Sequence, residues 1–109
     1  MLILFHLYIT FLTKFDSNGN LLWDRLWGGT GNDIGHGIAV DSANNVYFGG
    51  FTYSYDYRGD MFLVKYDSYG NKLWDLTHGG AYYDNGYGVA VDSNDNVYHV
   101  GYTKRSSGT

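Results

Sequence analysis

The 109-residue chain contains no cysteine, no proline, no glutamate and no glutamine. The absence of cysteine excludes disulfides and thiolate chemistry, but it does not decide the compartment, since exported microbial proteins can also lack cysteine. Glutamate and glutamine favour helices, whereas the tyrosine, valine, phenylalanine, tryptophan and threonine that are present favour strands. Sixteen glycines supply residues for turns. The composition therefore predicts an all-β protein.

Basic residues are few: seven lysines and arginines stand against eleven acids, all aspartate, and the formal net charge is −4. This balance argues against a nucleic-acid partner. The most apolar run, residues 1–9, is too short for a membrane span, which needs about 20 apolar residues. It also lacks the charged start and cleavage site of a signal peptide. We interpret the run as a strand; a remnant of an export signal or an imprecise gene start are the alternatives.

The chain contains one segment twice. Residues 37–52 return as residues 88–103, at an offset of 51. A comparison of 11–58 with 62–109 gives 24 identities in 48 positions without a gap. Such similarity indicates a duplication, and a fixed period of this length is typical of solenoids, propellers and other repeat arrays. We therefore treat 1–109 as a single repeat region, with repeats at about 11–58 and 62–109.

Each repeat contains four strand candidates, at about 36–41, 45–52, 61–67 and 72–78. Between them stand turns such as Asp16–Asn20, in which an aspartate can cap the turn and a glycine or asparagine can adopt positive φ. These hairpin turns predict antiparallel neighbours. The strands are apolar on both faces, so their sheet must be covered on both sides, as four-stranded propeller blades are. A two-sheet sandwich is the rival, but it does not explain the period.

The order of the strand candidates along the chain predicts one complete blade at about 36–78, with half a blade before it and half a blade after it. Two blades' worth of strands cannot close a ring, and the outer faces and edges would stay exposed. We expect either association with copies of the chain itself or further blades of a longer chain.

Several motifs together resemble the SBBP-type β-propeller repeats of bacteria and archaea. The resemblance rests on residues 11–23, on Gly28-Gly29 with the following Asp33, and on the segments 37–42 and 45–52; it covers about 11–103. It implies a multi-bladed propeller, often within large exported or surface proteins, and no shared enzymatic activity. The extracellular or cell-surface localisation is an expectation from this resemblance alone.

Most side chains that could take part in catalysis or metal binding are better explained by a structural role. The Asp16 and Asp92 turns resemble half of a calcium loop, but the glycine and glutamate that such a loop requires later are absent. The four histidines show no zinc-ligand spacing. Asp33 and Asp84 could be paired catalytic carboxylates, but we expect each to bond backbone amides of its own loop. Trp23, Trp27 and Trp74 are predicted to pack between blades. We therefore predict no catalytic residue, no metal site and no cofactor.

The tyrosine-rich loops are the best candidate binding surface. Loops 53–60 and 79–85 should emerge on one side of a propeller, and tyrosine combines flat contact area with a polar tip. The predicted binding residues are Tyr53, Tyr55, Tyr57, Arg58, Tyr82 and Tyr83. The sequence thus predicts a non-enzymatic module, either structural or a binding scaffold. The alternatives are recognition of carbohydrate or protein by these loops, and a fragment of a propeller hydrolase or lyase.

Overall fold

The regular structure in the described part of the chain is entirely β-strand. The computed structural model describes residues 7–54, 59–79 and 83–104. The strands are β1 (Thr10–Phe15), β2 (Leu21–Trp27), β3 (Asp33–Val40), β4 (Val46–Thr52), β5 (Asp60–Tyr66), β6 (Lys72–His78), β7 (Tyr83–Val91) and β8 (Val97–Lys104). The prediction of an all-β chain is confirmed.

The strands form three antiparallel sheets in sequence order. The central sheet has four strands in the order β3-β4-β5-β6, and β1-β2 and β7-β8 form two-stranded sheets. Every pairing joins strands that are consecutive in the chain. Bulges recur at equivalent repeat positions, at Lys14/Phe15 and Lys65/Tyr66. The antiparallel hairpins thus follow the period of the sequence.

Four hairpin turns share one hydrogen-bonding pattern. In the first, a carboxylate oxygen of Asp16 accepts the amide N–H groups of Asn18 and Asn20, at 2.9 Å each. Gly19 follows with φ 86°, a conformation that glycine adopts without a steric penalty. The backbone bonds from Asn20 lower the pKa of Asp16, because they favour the charged carboxylate. The turns that begin at Asp41, Asp67 and Asp92 repeat this pattern.

The β1-β2 sheet covers one face of the central sheet. The indole of Trp27 stacks on the ring of Phe62, and Trp23 lies 5.9 Å from Tyr66, between ring centroids. The Trp23 indole N–H also donates to the carbonyl of Ser68 at 3.0 Å. Trp23 and Trp27 therefore pack between sheets, as the sequence predicts. The core consists of Leu12, Trp23, Trp27, Val46, Phe48, Phe62, Val64 and Tyr66.

The β7-β8 sheet covers the opposite face, where glycines allow a close approach. A Cβ atom on Gly37 would lie 2.5 Å from the carbonyl oxygen of Tyr87. A Cβ on Gly49 would lie 2.8 Å from the ring of His99.

The third tryptophan, Trp74, does not pack between sheets as the sequence predicts. Trp74 contacts Tyr47 of its own sheet at 6.0 Å between centroids and remains 37% exposed.

The expected strand over residues 1–9 is wrong for its described part. Leu7, Tyr8 and Ile9 are exposed and lie outside any strand, while 1–6 lie outside the described residues. The Tyr8 amide donates to the side-chain oxygen of Asn32, and the Tyr8 carbonyl accepts from the Asp33 amide at 2.8 Å. These bonds hold the segment against the loop between β2 and β3.

Candidate binding face

One end of the molecule carries the hairpin turns, and the opposite end carries the strand ends that lead from β2 to β3, from β4 to β5 and from β6 to β7. In the central sheet Asp33 pairs with Thr52, and Thr52 pairs with Asp60, so the first two of these connections leave from the same end. His78, the last residue of β6, pairs with Met61 beside them. This loop end is where the sequence predicts the binding surface.

Asp33 organises two of the loops from inside the protein. Its side chain is almost completely buried, at 1% exposure. The carboxylate accepts hydrogen bonds from the amide of Gly29 at 3.2 Å and from the hydroxyls of Thr52 and Ser54. The Ser54 hydroxyl oxygen in turn accepts hydrogen bonds from the backbone N–H groups of Gly29 and Gly31. Asp33 thus bonds its own loop, as expected, and ties it to the loop after β4.

Asp84 takes the same position in the second repeat and is also buried. A Cβ on Gly79 would lie 2.6 Å from a carboxylate oxygen of Asp84 and 2.5 Å from one of Asp60. The backbone at Gly79 therefore lies directly against two carboxylates. This crowding explains a glycine at position 79.

An aromatic cluster lies beside the loops, where the central sheet meets β7-β8. We define the cluster by five side chains that share ring contacts: His36, Phe51, Tyr53, Tyr87 and Tyr102. His36 lies 4.4 Å from Tyr87, and Phe51 lies 5.8 Å from Tyr53, between ring centroids. Tyr87 stacks on Tyr102 at 5.5 Å. The cluster therefore spans both sheets.

The tyrosines of the cluster offer both ring surface and hydroxyl groups. Tyr87 is 39% exposed and Tyr102 is 53% exposed. The hydrogen bond with Tyr102 raises the pKa of the Tyr87 phenol, with smaller contributions from burial and from the neighbouring phenols of Tyr102 and Tyr53. The Tyr87 hydroxyl is therefore a neutral donor and acceptor at physiological pH. This combination of flat apolar surface and polar tips is typical of recognition surfaces.

The predicted binding residues are only partly within the described chain. Tyr53 is, and it belongs to the aromatic cluster. Tyr83 opens β7, where it pairs with Lys104, but its side chain is outside the description. Three tyrosines and the arginine, namely Tyr55, Tyr57, Arg58 and Tyr82, lie outside the described residues. Their role remains a prediction.

Sequence reasoning missed four members of the cluster. His36 and Tyr87 are equivalent across the period of 51, and so are Phe51 and Tyr102. Aromatic or imidazole rings at the same two repeat positions, next to the loop end, were the available signal. The ring contacts show that these positions form a partly exposed surface.

The described residues contain no group of three or more potential ligands that could hold a metal ion. Within the same residues, no helix is long and apolar enough to cross a membrane.

The C-terminal hairpin matches a known repeat family. Residues 78–106, which include β8 and the turn before it, match the SBBP family, described as a beta-propeller repeat. This part of the chain is similar to one SBBP β-propeller repeat. The resemblance seen in the sequence is thereby confirmed, and the antiparallel sheets agree with it.

Two curated proteins are similar to this chain over most of its length. An uncharacterized WD repeat-containing protein of Acanthamoeba polyphaga mimivirus is 31% identical, with 84% of this chain and 8% of the relative aligned. The regulatory protein FlaEY of Caulobacter vibrioides is 32% identical, with 85% of this chain and 11% of the relative aligned. The chain thus spans about a tenth of the length of these relatives. These similarities support a repeat scaffold or binding module.

Proposed function

We propose that the chain is a non-enzymatic propeller-repeat scaffold that binds carbohydrate at its aromatic cluster. The observation that carries the proposal is the partly exposed stack of Tyr87 on Tyr102, beside Tyr53 and at the loop end. Sugar rings present apolar faces and many hydroxyls, so they are suited to flat aromatic surfaces with polar edges. A protein loop is the other class of ligand that such a surface accepts.

The buried carboxylates support the non-enzymatic part of the proposal. Asp33 is enclosed by Gly29, Thr52 and Ser54, which use its oxygens to hold the loops. A general acid or base must instead reach a proton on the substrate. On the basis of the SBBP resemblance, we further propose that the protein is exported or displayed at a cell surface.

A glycan array tests the binding proposal directly. The wild-type chain should bind a subset of glycans, and the double variant Tyr87→Ala/Tyr102→Ala should lose this binding. Tyr69→Ala is the matched control, because Tyr69 is an exposed tyrosine on the turn between β5 and β6, at the opposite end. Circular dichroism must show that all variants keep their β-structure. Equal binding by the wild type and the double variant would refute the proposal, as would the absence of any binding.

A further inference from the structure

The two repeats place equivalent side chains in opposite environments. Phe62 is fully buried and Tyr66 is 3% exposed, but their equivalents Phe11 and Phe15 are 66% and 59% exposed. These residues lie on the face of β1-β2 that points away from the central sheet. An apolar sheet face of this kind is typical of an interaction surface.

The central sheet shows what covers this face when it is buried. Trp27 stacks on Phe62 at 4.2 Å between centroids, and Trp23 contacts Tyr66. The Trp23 indole and the Lys14 ammonium both donate to the Ser68 carbonyl, at 3.0 and 2.8 Å, and so hold the turn between β5 and β6. Trp23, Lys14 and the stacking ring of Trp27 thus hold the β5-β6 hairpin of the central sheet. We call these three side chains the first clamp.

A second clamp of the same kind lies on β5 and β6. Its members are Trp74, Lys65 and His78, which are equivalent to Trp23, Lys14 and Trp27. Trp74 is 37% exposed, whereas Trp23 is 8% exposed. Beside this second clamp, a groove of about 360 Å³ is lined by Gly79 and by residues of β5, β6, β7 and β8, including Met61, His78, Asp84 and Gly101. The groove has the dimensions of a ligand or side-chain site.

The outer edge of β8 offers backbone pairing next to the groove. In the described part of the chain, β8 pairs with β7 alone and β1 pairs with β2 alone. In the central sheet, Tyr47 pairs with Lys65 and Gly50 pairs with Phe62. The same register, moved by one repeat, pairs Tyr98 of β8 with Lys14 of β1, and Gly101 with Phe11. Phe11 would then enter the groove and meet His78.

We propose that the chain associates head to tail through this hairpin. The β1-β2 hairpin of one copy docks on the second clamp and on the β8 edge of another copy, and the four strands β7, β8, β1 and β2 form one composite sheet. The turn that enters the clamp is Asp16-Ser17-Asn18-Gly19-Asn20, which matches Asp67-Ser68-Tyr69-Gly70-Asn71 at four of five positions. The Ser17 carbonyl accepts from Trp74 and Lys65, as Ser68 does from Trp23 and Lys14.

A second copy is the occupant because its hairpin satisfies all three features at once. It supplies an apolar face for Trp74 and His78, a carbonyl for the indole, and a free strand edge for β8. Two features differ between the clamps. The bond of Arg25 to the Gly70 carbonyl has no counterpart at Leu76, and the Lys65 ammonium lies 4.0 Å from the Asp41 carboxylate. The groove shares Tyr102 with the aromatic cluster, but glycan binding and solution mass are measured separately, so the two proposals can be told apart.

Light scattering after gel filtration tests the assembly. The wild-type chain should give a mass above that of the 12.3 kDa monomer, and Trp74→Ala should weaken association by about 30-fold or more, as expected for a buried aromatic at the centre of an interface. Tyr69→Ala is the control and should associate like the wild type. A wild-type chain that stays monomeric at high micromolar concentration overturns the proposal, even if a further blade of a longer protein takes the same place.

Cysteine crosslinking tests the register, because the sequence contains no cysteine of its own. The double variant Tyr98→Cys/Lys14→Cys should form disulfide-linked oligomers under mild oxidation, since paired positions bring Cβ atoms within reach. Tyr98→Cys/Thr13→Cys, shifted by one residue, places the second cysteine on the opposite face and should not crosslink. Equal crosslinking of both variants, or of neither, contradicts the proposed pairing.

Discussion

The indole of Trp27 is stacked on Phe62 with 4.2 Å between ring centroids and an interplanar angle of 17°. The same indole donates its N–H to the Asp75 carboxylate at 2.9 Å, and this bond, with that of Lys72, lowers the pKa of Asp75. One side chain of the β1-β2 sheet therefore joins the core of the central sheet and its last strand. Its position explains why a two-stranded sheet can remain in place.

Truncation of this side chain should strongly destabilise the fold. We expect Trp27→Ala to lower the free energy of unfolding by about 3–5 kcal/mol, the range for a large aromatic removed from a core. Trp27→Phe should cost less, because it keeps the stacking and loses only the indole donor. Leu22→Ala, at an exposed position of the same strand, is the control and should stay near the wild type. Urea unfolding followed by circular dichroism measures all three.

Replacement of the buried carboxylate should affect loops that are distant in sequence. Asp33→Ala leaves the hydroxyls of Thr52 and Ser54 without their acceptor, so we expect a loss of about 3 kcal/mol in unfolding free energy. Asp24→Ala, on an exposed position of β2, should change stability by less than about 0.5 kcal/mol. Hydrogen exchange should show faster exchange of the Gly29 and Gly31 amides in the first variant only. Equal stability of the two variants would contradict the role of Asp33.

Acid should weaken the hairpin turns. Hydrogen bonds from Asn71, first those of its side chain and then those of its backbone, lower the pKa of Asp67 from its ordinary 3.8. A carboxylate whose pKa is lowered by folding contributes stability above about pH 4, and this contribution is lost as the pH falls below that value. Asn71→Ala should bring the pKa of Asp67 closer to 3.8, as measured by NMR titration of its carboxyl carbon. Asn94→Ala, in the turn that begins at Asp92, is the control and should leave Asp67 unchanged.

A buried histidine should make folding stability depend on pH in a second, higher pH range. The Nε2 atom of His99 is buried and has no hydrogen-bond partner in the described part of the chain. Burial, and to a lesser extent the nearby His78, lowers the pKa of His99 from 6.5. The folded state thus favours neutral His99. The contribution of His99 to the free energy of unfolding is present above about pH 6.5 and is lost as the pH falls.

Substitution by phenylalanine separates this effect from general acid sensitivity. Phe48 occupies the equivalent position of the first repeat, so His99→Phe should fit the site and flatten the change in melting temperature between about pH 7.5 and pH 5.5. His36→Phe, at an exposed histidine, should keep the wild-type pH dependence. An unchanged pH dependence in His99→Phe would exclude His99 as its source.

Much of the fold could be predicted because its signals are local. The turn at Asp16–Asn20 follows from short-range hydrogen bonds and one positive φ, and the apolar strands on both sides of such a turn require antiparallel pairing. The burial of Trp23 and Trp27 followed from the need to cover two apolar faces. These features depend on neighbouring residues in the sequence or on the 51-residue repeat, and both can be read directly from one sequence.

The aromatic cluster could not be predicted because it depends on how two sheets approach each other. The contact of His36 with Tyr87 requires the β-strands that carry them to lie close, and a Cβ on Gly37 would prevent this. The path of Leu7–Ile9 was likewise decided by bonds to Asn32 and Asp33, not by apolar composition. Long-range contacts of single residues leave no periodic signal in one sequence.

The strict pairing of each strand with its neighbour in sequence has a kinetic consequence. Among the eight described strands, each hydrogen-bonded pair joins strands that are consecutive in the chain and separated by a single connection. Loop-closure entropy is therefore small at each step, and hairpins can form before they dock on one another. In an array of such repeats, nucleation can begin at any hairpin and spread to its neighbours. A chain with more blades would accordingly gain stability through added interfaces without a matching loss of folding speed.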